Sequence, residues 1–249
     1  FFAPFRGARG RLKRAMLEGI NALLPGIELD YDRDVLPLSE SKEGGGVTER
    51  HLMFALAKAM VNKAGRGQSM VDYLASIGLN LSEKQKKQML DLAYPFYDYD
   101  LLGILKSAFV PKIYIDATDE CPNVKELVAL CSRIDALLCY AYLGDVGDSV
   151  TGDKKAQKFE DDYLDDVIAC LKETGVRAVT YMPTRNTEAQ LTRLRGLCDA
   201  NGLFQVSGED INSPRQSFVI RAMENPMFAN LIDATWKLIE HEEKGTPIL

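Results

Sequence analysis

Apolar positions recur along this chain in two rhythms. In its first part they keep helical spacing: Leu12, Ala15, Met16, Ile20 and Leu23 make one stripe, and Leu52, Phe54, Ala55 and Ala59 another. These stripes predict a helix over 11–24, a helix opened by Thr48 as N-cap, and further helical segments to about residue 108. Breaks at Pro25–Gly26, in the SESKEGGG loop at 39–46, at 65–67, at 78–80 and at Tyr94–Pro95 separate them. After Pro111 the rhythm changes to short apolar runs divided by helix-length segments. Runs at 112–115, 136–143, 176–182 and 203–206 predict strands, with helices over 124–134, 163–173 and 187–201 between them. Asn225–Pro226 opens a terminal helix through Trp236 and His241, where the flanking acids predict a solvated imidazole. Ile27–Glu28–Leu29 reads as a fifth, short strand, followed by the acids Asp30, Asp32 and Asp34.

Strands alternating with helices imply parallel pairing and right-handed crossovers, which bring the strand C-termini to one edge. That topology gathers Glu28, Asp116, Tyr142, Asp145, Arg185, Glu209 and Asp210 at one mouth. The last strand stops at Ser207–Gly208 and delivers Glu209 and Asp210 into a polar loop. Carboxylates with one or two imidazoles suit Mg²⁺, Mn²⁺ or Zn²⁺, which activate water or clamp phosphate. Arg185 and Arg215 can each hold an anion through paired hydrogen bonds, or form surface ion pairs. Glu28, inside an apolar run, requires a partner: a metal or a buried ion pair. His51, in the first turn after Thr48, is either a capping residue or a ligand. The basic run Arg6, Arg9, Arg11, Lys13 and Arg14 forms a phosphate-binding rim or a solvated helix start.

Composition narrows the choice of partner. Among 249 residues, 46% are hydrophobic and 27% charged, the mix of a chain that builds a core. A net charge of -6 argues against nucleic acid and anionic membranes and favours small solutes. The five cysteines are scattered without a CxxC pair, which indicates neither a disulfide framework nor a cysteine zinc site and points to a reducing cytoplasm. No apolar run reaches the roughly 18 residues that a membrane span requires. The DVGDSVTGDKK stretch from Asp145 has acids at close spacing but lacks the register of a calcium loop. The chain starts at Phe1 rather than Met, so upstream residues are expected.

Several stretches resemble the PHP (polymerase and histidinol phosphatase) family of metal-dependent phosphoesterases. PGIE at 25–28 resembles the family's PG-I/V-E motif, RHLM at 50–53 its following His-Leu segment, and 176–212 its last repeat, which leads to G-S-D-x-H. The resemblance implies an α/β fold, a distorted (β/α)7-type barrel with a helical insertion, whose first two strands precede Phe1. Residues 1–46 would then belong to the barrel, 47–110 to a helical insertion or cap, and 111–249 to the barrel again. It also implies Glu28, His51 and Asp210 as ligands of a divalent metal (Mn, Mg or Zn). To these the topology adds Arg185 and Arg215 on the substrate and Asp116, Tyr142, Asp145 and Glu209 lining the site, with Asn212 beside them. Asn212 stands where the family has His, and Ala141–Tyr142–Leu143 where it has A-H-P. The expected function is a metal-dependent hydrolase acting on a small phosphorylated substrate. The alternative is a barrel without catalysis that binds a small anionic ligand or a protein partner.

Overall fold

The chain begins with helix α1 (Ala3–Leu23) in the computed structural model, which describes residues 1–147, 157–211 and 213–248. Pro4 sits in the first turn, where its missing N–H leaves no bond unmade. The basic run lies within this helix, where Arg6 and Arg11 are exposed and the other three cations pair with acids. Arg14 reaches Asp32 at 2.6 and 2.8 Å, Arg9 reaches Glu120 at 3.2 Å, and the buried Lys13 reaches Glu49 at 2.6 Å. Such a buried cation is tolerated because it is paired.

Two units follow, Phe1–Pro122 and Asn123–Leu249, each with its own hydrophobic core. The first is helical: α1, α2 (Glu49–Ala64), α3 (Gln68–Ser76), α4 (Glu83–Leu90) and α5 (Tyr97–Ile113). Leu52, Leu56 and Met60 of α2 pack with Leu101, Leu105 and Phe109 of α5, and Met16 and Ile20 of α1 join the same core. Residues on either side of position 46 therefore share one apolar interior.

The second unit holds a parallel sheet, β1 (Cys139–Ala141), β2 (Ala178–Tyr181) and β3 (Phe204–Ser207), in the order β1-β2-β3. Helices α6 (Val124–Arg133), α7 (Leu164–Thr174), α8 (Glu188–Asn201) and α9 (Ala229–Lys244) complete it. Val179, Tyr181, Leu191, Leu194 and Leu231 are fully buried between sheet and helices. No described helix is long and apolar enough to cross a membrane.

This architecture corrects the expected barrel. Helix accounts for 60% of the structure, and the sheet has three strands with open edges. Two predicted strands fail for separate reasons. Ile27 and Leu29 are buried and Glu28 points outward, as in a strand, but the side chain of Asn21 takes the place of a neighbouring backbone. Its Nδ2 donates to Leu29 O at 2.9 Å and its Oδ1 accepts from Leu29 N at 3.0 Å. The 112–115 run is split: Ile113 is a buried residue of α5, while Tyr114 and Ile115 are exposed and unladdered. The runs at 136–143 and 176–182 contain β1 and β2, and the run at 203–206 covers β3 except for Ser207.

Candidate functional site

Parallel pairing places the loops after β1, β2 and β3 on one edge of the second unit's sheet. The end of β3 is shaped by a close approach. Gly208 N donates to Tyr181 O at 3.0 Å, and a Cβ at Gly208 would stand 2.2 Å from Thr180 Oγ1. A side chain here would have to displace the Thr180 hydroxyl, so glycine lets the strand end lie close against β2. Glu209 then turns back and accepts from the Thr184 N–H at 3.0 Å and from the Thr184 hydroxyl, tying the β3 loop to the β2 loop.

The loop after β1 is held by two consecutive acids. Glu160, only 3% exposed, accepts from Leu143 N at 2.9 Å, Gly144 N at 3.2 Å and the Tyr140 hydroxyl at 3.1 Å. Asp161 accepts from Asp145 N at 2.9 Å, from Gln190 Nε2 at 2.6 Å and from the Tyr142 hydroxyl. Burial pushes the Asp161 carboxyl up, but the bonds from Tyr142 and Gln190 outweigh it and keep the group below its usual range. Burial and the Asp161 charge raise the Tyr142 phenol far above its ordinary value, so it stays a donor. Asp145 pairs with Lys158 at 2.7 Å and accepts from Phe159 N at 2.6 Å, and Lys158 holds its carboxyl low.

Upon this framework sits Arg185. Its Nε donates to Leu143 O at 3.0 Å, and its guanidinium carbon lies 5.2 Å from the centroid of the Phe159 ring. No hydrogen bond or ion pair among the described residues engages its two terminal amino groups. Beside it, Asn186 Nδ2 donates to the same carbonyl at 2.7 Å, while Asn186 Oδ1 is buried without a partner among the described residues. The result is a guanidinium held by Leu143 and Phe159, beside a buried amide oxygen that is closed to solvent. The fork of terminal N–H groups matches the paired oxygens of a phosphate or a carboxylate.

The other expected site residues fall elsewhere in part. Asp210 is exposed beyond β3, its carbonyl accepting from Gln216 Nε2 at 3.1 Å. Arg215 is exposed in the same loop, its N–H donating to Ser213 Oγ at 3.3 Å. Asn212 lies outside the described residues, as does most of the acidic loop that follows Asp145. Asp116 is exposed in the first unit, past the end of α5. Glu28 and His51 also belong to the first unit, Glu28 on the rim of a groove and His51 at the start of α2.

His51 does not fit the part of metal ligand. Its Nδ1 accepts from Thr48 N at 2.9 Å, a bond that closes the first turn of α2. With the Nδ1 lone pair spent, the neutral ring carries its proton on Nε2, which then has no lone pair to offer. Burial lowers its pKa, in keeping with a neutral cap. Among the described residues no three His, Cys, Asp or Glu side chains form a group that could hold a metal ion. The sequence reading missed Glu160, Asp161 and Gln190. A signal existed for Gln190, since Thr187-x-x-Gln190 has capping-box spacing, but Glu160 and Asp161 read as loop polarity. No protein-family model, curated protein or solved structure matches the chain.

Proposed function

We propose that the chain binds a small anionic ligand, a phosphate ester in the first instance, at the strand C-terminal edge of its second unit. The observation that supports this is the Arg185 side chain, anchored through Nε and by contact with Phe159, with both terminal amino groups open among the described residues. A guanidinium fixed in this way loses little freedom when it takes two anion oxygens. Glu160 and Asp161 are already filled with donors, so they shape the loops rather than reach for a ligand.

The second reading is metal-dependent hydrolysis of that ester. It rests on the resemblance of 176–212 to a phosphoesterase repeat and on Glu209 and Asp210 standing just beyond β3. One experiment weighs both. Calorimetric titration with phenyl phosphate should show saturable binding that Arg185→Gln weakens by about tenfold to a hundredfold, the loss of one to two charge-assisted hydrogen bonds. Equal affinity in the variant, or no binding by the wild type, would contradict the first reading. Turnover of p-nitrophenyl phosphate with added Mn²⁺, lost in Asp210→Asn, would establish the second.

A further inference from the structure

The first unit contains a groove of about 760 Å³ between the 26–29 turn, the 33–38 segment and α2. That volume lies within the roughly 300–1,000 Å³ of small-molecule sites. Ala55 and Ala59, one helical turn apart, supply part of its lining with short side chains, while Leu29 and Leu38 add apolar surface.

Its charges are unequally committed. Arg33 pairs with Asp34 at 2.7 Å, and Lys63 Nζ donates to Gly26 O at 3.0 Å. Glu28, by contrast, makes no side-chain hydrogen bond or ion pair among the described residues. Neither does Lys58, whose ammonium lies 5.9 Å from the Phe54 ring centroid, nor Asn62, one turn further along α2. An anionic ligand would meet Glu28, and a cationic one Lys58 and the Lys63 ammonium, which a carbonyl does not neutralise, so a molecule bearing both charges answers the lining.

We propose that this groove binds a small zwitterion with an apolar body, of the amino-acid or dipeptide class. Its ammonium would lie on Glu28, its carboxylate on Lys58 and its amide against Asn62. Ion pairs this exposed are individually weak, so the affinity falls at about the millimolar level.

The test is a ¹H–¹⁵N NMR titration of the whole chain with L-leucyl-L-leucine. Saturable shifts are expected in the amides of 26–29 and 55–63. N-acetylation, which removes the ammonium, should weaken binding about fivefold in the wild type but hardly at all in Glu28→Gln. The C-terminal amide should show the same relation to Lys58→Gln. Ala59→Leu, which fills the lining, should abolish the shifts. Both charged positions are exposed, so their variants leave the core intact. An absence of shifts would overturn the proposal, as would shifts confined to other residues or an acetylation penalty equally large in Glu28→Gln.

Discussion

At the scale of single residues, the two histidines do opposite work. His51 is a neutral cap whose pKa is lowered by burial, whereas His241 is raised, first by Thr246 O at 2.7 Å and then by Asp135 O at 3.2 Å. Both nitrogens of His241 face carbonyls, which favours the protonated ring rather than the merely solvated one that its acidic neighbours suggest. The signs follow by linkage. Stability from His51 is full above an unfolded pKa of about 6.5 and is lost as pH falls toward its lower folded value. Stability from His241 is full below about 6.5 and is lost as pH rises through its higher folded value. The two windows lie on opposite sides of about 6.5, so a variant at one histidine changes only its own side of the profile. Gln is the usual residue at this capping position, so His51→Gln should keep the cap and flatten the decline from pH 7 to pH 5. His51→Ala should lose about 1 kcal/mol at neutral pH in urea unfolding. An unchanged pH profile in His51→Gln would remove the capping account.

At the scale of elements, the loop after β1 is the member on which the site depends. Glu160 fixes Leu143 and Gly144, and the Leu143 carbonyl in turn holds Arg185 and Asn186. Glu160→Gln should destabilise the chain by about 2 kcal/mol, since a buried carboxylate accepting three bonds is replaced by an amide with one acceptor oxygen. It should also weaken phenyl phosphate binding through the displaced Leu143 carbonyl. Unchanged stability in chemical denaturation would show that the loop does not need this carboxylate. The three β-strands were legible because Leu138–Leu143, Val176–Met182 and Leu203–Val206 are apolar runs flanked by helix caps and turns. The 27–29 and 112–115 runs looked the same at that level. What separated them was tertiary: Asn21 supplies the pairing that a strand would have supplied, and Ile113 is claimed by the core of α5. Arg185 was legible as a residue following a strand end, but its anchoring by Leu143 and Phe159 joins positions too far apart in sequence for spacing to reveal.

At the scale of the whole molecule, each unit has a separate apolar core, one from Met16 to Ile113 and one from Tyr142 to Leu231. A first unit with this much buried surface should fold alone. Residues 1–122 are predicted to give a cooperative, helical unfolding transition by circular dichroism, and a gradual, non-cooperative loss of signal would contradict the division. The proposed anion site belongs wholly to the second unit, and its central claim concerns one guanidinium. The most direct measurement is the side-chain Nε–H NMR signal of Arg185, assigned by its loss in Arg185→Gln, during titration with phenyl phosphate. A protected signal that shifts saturably, with the affinity found by calorimetry, is the predicted result. Saturable shifts on other arginines while the Arg185 signal stays still would contradict it.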